Sequence, residues 1–164
     1  MMSNKILVTY ASRAGSTAGV AEAIAKTLAA PPALWAPSPN TNTDIDLSER
    51  ILVSDLGRAG EGFVDVLPME DVKDLSPYQA VVAGSAIRKS KWLPEAAQFI
   101  QTHRSTLAQK PFAMFTVCIT LAMSNSEQYR SAVAEWVAPV RALVRPLSEG
   151  LFAGMLDFSK LPFN

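Results

Sequence analysis

Apolar positions change their period along this chain, and each change marks an element. Residues 5–9 form a short apolar run, read as a strand. From Thr17 onward Val20, Ala21, Ile24, Ala25 and Leu28 recur at helical spacing. Residues 31–62 then lose any sustained period. Pro31, Pro32, Pro37 and Pro39 open this stretch, and residues 51–54 read as an added edge strand within it. Gly57, Gly60 and Gly62 follow as a loose turn. A loop of this length is uncommon in a compact domain and marks a functional or mobile segment. Residues 63–67 alternate and stop at Pro68, as a second sheet strand, with a single acidic turn over 70–74.

Residues 80–85 are continuously apolar and short, as a central parallel strand should be. A loop over 85–92 leads to Pro94, placed for the first turn of a helix. Leu93, Ala96, Ala97, Ile100 and Leu107 share its apolar face, and His103 falls in its last turn. Residues 112–118 form the next strand, followed by a loop over 119–123. Ser124 and Glu127 have capping-box spacing. Tyr129, Val133, Trp136, Val137 and Val140 continue a helix that Pro139 is expected to kink or end. Residues 151–156 read as the fifth strand.

Strands alternating with helices predict an α/β fold: a doubly wound sandwich around a five-stranded parallel sheet in the order 2-1-3-4-5. Right-handed crossovers bring the loops after strands one, three and four to one carboxyl edge. The 164 residues are read as one domain, 1–164, with an inserted loop at about 31–62.

Composition narrows the partners. Fifteen basic and fifteen acidic residues give zero formal charge, so nothing argues for nucleic acid or for an anionic membrane surface, and no nucleic acid is expected as a partner. The acidic excess by which small electron carriers steer to basic partners is also absent. One cysteine, Cys118, excludes an internal disulfide and a cysteine metal cluster. No metal site is expected. No apolar run is long enough to span a bilayer, and the start of the chain has no signal-peptide pattern. These features predict a soluble, cytoplasmic protein, with peripheral membrane contact left open.

The chemistry concentrates in Thr9-Tyr10-Ala11-Ser12-Arg13-Ala14-Gly15-Ser16-Thr17, at the handover from first strand to first helix. Small hydroxylated residues and one glycine at a helix N-terminus suit a phosphate. The stretch is neither a G-x-G-x-x-G fingerprint nor a G-K-[ST] loop. Its layout resembles the first loop of the flavodoxins. The second loop, Gly84-Ser85-Ala86-Ile87-Arg88, the strand from Pro111 to Val117 and the ending Phe152-Ala153-Gly154-Met155-Leu156 extend the likeness. Together they resemble the flavodoxin-domain family, with most similarity to its menaquinone-dependent protoporphyrinogen oxidase branch.

The resemblance implies a flavodoxin-like fold and FMN as cofactor. It places the phosphate on Ser12, Arg13, Ala14, Gly15, Ser16 and Thr17. Ser85, Ala86, Ile87, Arg88 and Trp92 would lie on one side of the flavin ring, and Thr116, Val117, Cys118 and Ile119 on the other. Each has a plainer alternative. Arg13 is either a phosphate contact or a solvent-facing residue. Trp92 is either beside the flavin or a core anchor. Cys118 in isolation reads as a small buried hydrophobe. Arg88, Lys89 and Lys91 meet porphyrin propionates or an acidic partner, or are simply solvated.

The implied function is an FMN-dependent oxidoreductase acting on protoporphyrinogen IX or a related reduced substrate, with a quinone or redox protein as acceptor. The alternatives are a flavodoxin-type electron carrier and a flavodoxin-like module that has lost FMN. No catalytic side chain is assigned. The C-terminal helix of the family is apparently absent after Phe163 and Asn164. That absence is expected to expose apolar surface beside strands one and three, for which a homodimer is one solution.

Overall fold

The computed structural model describes residues 5–13, 15–29, 64–122 and 126–153. The 31–62 insertion, with its proposed edge strand and turn, lies outside them, as do Ala14, most of the expected capping box and the chain beyond Ala153. In order, the elements are β1 (Lys5–Ala11), α1 (Ser16–Ala29), β2 (Val64–Pro68), β3 (Tyr78–Arg88), β4 (Lys91–Trp92), α2 (Pro94–Thr102), α3 (Arg104–Leu107), β5 (Phe112–Cys118), α4 (Ser126–Arg141) and β6 (Ser148–Ala153). Short 3-10 turns occupy Met69–Asp71 and Ile119–Ala122.

Five parallel strands run in the order β2-β1-β3-β5-β6, and β4 adds antiparallel to the end of β3. Apart from that hairpin, this is the order expected from the sequence. The sheet is covered on both faces, which is why its inner strands β1, β3 and β5 are largely buried and apolar, while the edge strand β6 alternates. On one face Ala21, Ile24, Ala25 and Leu28 of α1 pack with Ile6, Val8, Val82 and Phe115. On the other, α2, α3 and α4 bring Ile100, Leu107, Val133 and Val137 against Leu7, Val81, Phe112 and Met114.

Apolar surface was expected to lie open on the α1 face, but Ile6, Val8, Ala80, Val82, Ala113, Phe115, Val117 and Phe152 are all buried. Two aromatic rings account for part of this. Gly84 and Gly150 flank Phe115 in register on the neighbouring strands. The Phe115 ring lies over Gly84, where an added Cβ would stand 2.1 Å from Cζ. The Phe152 ring lies over Gly150 and meets Phe115 edge-on, with centroids 6.3 Å apart. Glycine is required at position 84 because Phe115 occupies the space a side chain would take.

Three elements differ from expectation. The helix after Pro94 breaks at His103, so Leu107 reaches the same core from a separate short helix. His103 stacks on Phe99 at 4.7 Å. Burial there pushes its pKa down, against the opposing charge of Asp74. His103 stands at the C-cap of α2, the helix end that its position suggested. Pro139 neither ends nor caps α4, and Ala142 still donates to the Ala138 carbonyl at 3.0 Å. The missing N–H falls on an exposed stretch, and Arg141 holds the last turn through a two-pronged ion pair with Glu149 of β6 (2.7 and 2.9 Å). Finally, β6 begins at Ser148 rather than 151, because Ser148 and Glu149 pair with Ala113 and Met114.

Inside the sheet, Thr9 is fully buried and its hydroxyl has no hydrogen-bond partner. An unpaired buried hydroxyl is destabilising relative to a methyl. Thr9→Val is expected to raise stability by about 1 kcal/mol, read as a higher urea midpoint at unchanged slope.

At the amino end, the Tyr78 hydroxyl donates to Asp65 Oδ2 at 2.8 Å, and Lys5 stands 3.6 Å from the same oxygen. Burial first, then the Asp65 hydrogen bond and charge, push the Tyr78 pKa from 10.0 up to about 12. The folded state favours the neutral phenol, so this contribution is complete below the unfolded pKa of 10.0 and lost as pH rises towards 12. Tyr78→Phe is expected to flatten that part of a stability–pH curve, measured by urea unfolding at stepped alkaline pH.

Candidate functional site

The carboxyl ends of β1, β3 and β5 lie side by side: Ala11 pairs with Ser85, and Ser85 with Thr116. Everything expected of a ligand site therefore meets at one edge, at the switch point of the sheet. The structure sorts the candidate residues into three groups.

The first group is the turn between β1 and α1. Ser12 Oγ accepts the Gly15 N–H at 2.9 Å and closes the turn. Gly15 has φ of 87°, a left-handed conformation that glycine adopts without strain. Its carbonyl accepts the Gly19 N–H and starts α1. Ser16 and Thr17 follow in the first turn, where N–H groups have no intrahelical acceptor and the dipole favours an anion. No acidic residue occupies that turn. Thr17 is fully buried and its Oγ1 has no partner. A left-handed glycine and an orphaned hydroxyl at the head of a 14-residue helix fit a phosphate. Arg13 does not face the turn alone: its Nη2 reaches Glu95 of α2 at 3.1 and 3.2 Å, with both side chains exposed. Ala14 lies outside the described residues.

A cleft of about 640 Å3 opens from this turn. Its walls are Tyr10, Ser12, Arg13 and Gly15 on one side and Met69, Glu70, Glu95, Phe99 and His103 on the other. Sequence reasoning missed this second wall. It comes from the end of β2 and from α2, and no local motif links them to the first loop.

The second group, expected to flank a flat ring, is engaged with itself. Ser85 Oγ accepts the Leu93 N–H at 3.0 Å and donates to the Ala86 carbonyl at 2.8 Å. Trp92 Nε1 donates to Thr116 Oγ1 at 3.0 Å. All three of Ser85, Trp92 and Thr116 are buried. Trp92 is thus a core anchor, and its indole is not presented as a stacking face. Cys118 is buried, with Sγ 3.0 Å from Thr120 Oγ1.

The third group is mixed in exposure. Ala86 and Ile87 are half-buried, Val117 is buried, and Ile119 is 48% exposed at the start of the 3-10 turn. The expected open loop over 85–92 is instead a hairpin. β3 runs on to Arg88, which pairs with Lys91 of β4 across a two-residue turn. Arg88, Lys89 and Lys91 are exposed on it. Among the described residues no helix is long and apolar enough to cross a membrane, and no cluster of three or more His, Cys, Asp or Glu is placed to hold a metal.

A doubly wound parallel sheet with a glycine-bearing turn and a helix N-terminus at its switch point is the architecture shared by nucleotide- and flavin-binding domains. The Flavodoxin domain family matches residues 52–164, more than half of the chain, and the chain belongs to that family. Its members generally bind FMN. The match takes in the second and third loops and leaves out the first. Among solved structures, the chain is similar to a flavodoxin from Streptococcus pneumonia TIGR4, with 15% identity, a TM-score of 0.52, and coverage of 94% of this chain and 88% of that one. It is similar to a cysteine-to-serine mutant of flavodoxin from Pseudomonas aeruginosa, with 15% identity, a TM-score of 0.52, and coverage of 96% and 86%. It also aligns with rubredoxin oxygen:oxidoreductase from Desulfovibrio gigas (17% identity, TM-score 0.46), of which it spans 33% while 97% of this chain is covered. No curated protein matches the sequence.

The hairpin turn carries its own test. Lys89 and Ser90 have φ of 52° and 60°, the pattern of a type I′ turn that usually takes Asn-Gly. Ser90→Gly is expected to stabilise the protein by about 0.5–1 kcal/mol by relieving a left-handed serine. A rise in melting temperature checks this.

Proposed function

We propose that this chain is an FMN-dependent oxidoreductase whose cofactor phosphate sits in the Ser12–Thr17 turn. The observation that carries the reading is the Thr17 hydroxyl, buried and without a partner beside the left-handed Gly15 at the head of α1. Bound there, FMN would supply acceptance of electrons from a reduced substrate and their transfer to a quinone or another acceptor. The chain's own residues bind and orient it. Thr17 Oγ1 and the first-turn N–H groups take the phosphate. The backbone at Ala86 and Ile87 would lie on one side of the ring, and Val117, Cys118 and Ile119 on the other. Ile119, exposed at 48%, gains apolar cover when a ring lies over it. Ser85, Trp92 and Thr116 support these walls from behind.

The finer reading, a reduced porphyrin such as protoporphyrinogen as substrate, draws its support from the hairpin. Arg88, Lys89 and Lys91 are exposed within four residues, and none has an ion-pair partner among the described residues. Three unpaired cations at the rim of a flavin site suit a substrate carrying carboxylates. The absence of a long apolar helix among the described residues is compatible with a cytoplasmic setting.

Titration with FMN, followed by absorbance, is expected to give one bound flavin per chain. Gly15→Asp should weaken binding at least about tenfold, by placing charge and a strained side chain against the phosphate. Gly15→Ala separates strain from charge. Thr17→Val should weaken FMN binding by about tenfold and stabilise the flavin-free protein by about 1 kcal/mol. A folded protein that leaves the flavin spectrum unchanged would overturn the cofactor reading. If FMN binds but reduced porphyrin is not oxidised with a quinone present, the chain is a carrier and the substrate reading falls.

A further inference from the structure

The two loops that flank the expected ring site are joined by buried hydrogen bonds. Trp92 belongs to β4 and Thr116 to β5, and 24 positions separate them in the chain. Their 3.0 Å contact is direct and buried. Ser85 holds the same hairpin from its other side, accepting from Leu93 and donating to Ala86. Ser85 and Thr116 are themselves register partners on adjacent strands. Trp92 and Leu93 anchor the hairpin in the core, and the hydrogen bonds give a fixed direction to an element with little backbone pairing of its own. β4 has two residues, pairs only with β3, and is joined to it through two non-glycine residues at positive φ. An isolated two-stranded hairpin is marginal in water.

We propose that Ser85, Trp92 and Thr116 form a positioning latch that fixes the β3–β4 hairpin to the end of β5, so that both walls of the flavin site move as one unit. The role rests on the FMN reading only for its consequence; the latch itself is a property of the flavin-free chain. A buried N–H donor that loses its acceptor must either remain unpaired or leave the core. Removing the Thr116 hydroxyl therefore does more than delete one bond. It loosens Trp92, and with it Arg88 to Lys91 and the backbone at Ile87, while Ala86 stays paired with Val117 of β5. The three residues position the site's walls without touching the reacting atoms.

The test compares the wild type with Thr116→Val, Thr116→Ser and Trp92→Phe. Amide hydrogen exchange in the flavin-free proteins is the first readout, and FMN affinity the second. Thr116→Val and Trp92→Phe are expected to speed exchange at Leu93 and across the hairpin by about tenfold, with α1 unchanged. Both should weaken FMN binding by about tenfold, and Thr116→Ser should restore both quantities. Unchanged exchange in the two disrupting variants overturns the latch. Faster exchange at unchanged FMN affinity overturns its positioning role. If the wild type itself binds no FMN, the cofactor reading fails while the exchange data still decide the latch. Should Thr116→Val not fold, Trp92→Phe, which keeps an aromatic ring in the core, carries the same comparison.

Discussion

Parallel strands must be covered on both faces, because every crossover connection runs over one of them. In this chain that constraint is tightest at Phe115, whose ring lies over Gly84 on one neighbouring strand and meets Phe152 lying over Gly150 on the other. The two glycines remove side chains from the sheet so that two large rings can fill the layer. With the middle of the sheet closed in this way, the open positions move to its edges. The carboxyl edge, where Ala11, Ser85 and Thr116 of β1, β3 and β5 stand in register, is where the candidate chemistry collects.

At that edge hydroxyl groups divide by role. Ser12 closes the first turn, Ser85 carries two bonds within the hairpin, and Thr116 receives the Trp92 N–H. Each is engaged by the protein itself. Thr17 is the exception in the first turn of α1. A small hydroxyl in a loop thus says little about ligand contact until its own partners are known. The residues that look most alike in sequence are the ones the structure separates most clearly.

The strand order and the edge that gathers the loops were legible in the sequence because they follow from period and handedness, which are local signals combined with one general rule. The turn at Gly15 was legible for the same reason. What escaped were long-range pairings. Nothing near Arg13 announces Glu95, 82 residues on, and nothing near Trp92 announces Thr116. The loop over 85–92 read as open because Lys89-Ser90 lacks the glycine of an ordinary two-residue hairpin, yet the buried bonds of Trp92 and Ser85 hold it in that form. Pro139 read as a kink or an end of its helix, yet the helix runs on to Arg141, because the missing N–H falls on an exposed stretch near its end. For the loop over 85–92, tertiary hydrogen bonds won over local preference.

Zero net charge is likewise a property of the whole chain and not of the site. Arg88, Lys89 and Lys91 are exposed within four residues of one hairpin, so positive charge is gathered at one point of the surface. Glu95, which otherwise brings negative charge to the same edge, is paired with Arg13. The positive field is therefore concentrated at the hairpin even though the sequence as a whole is balanced. Concentrated charge is useful only if it is held in place, since a freely moving turn would average it over a wide arc. The strained, short hairpin supplies the charges, and the buried bonds behind it fix their direction.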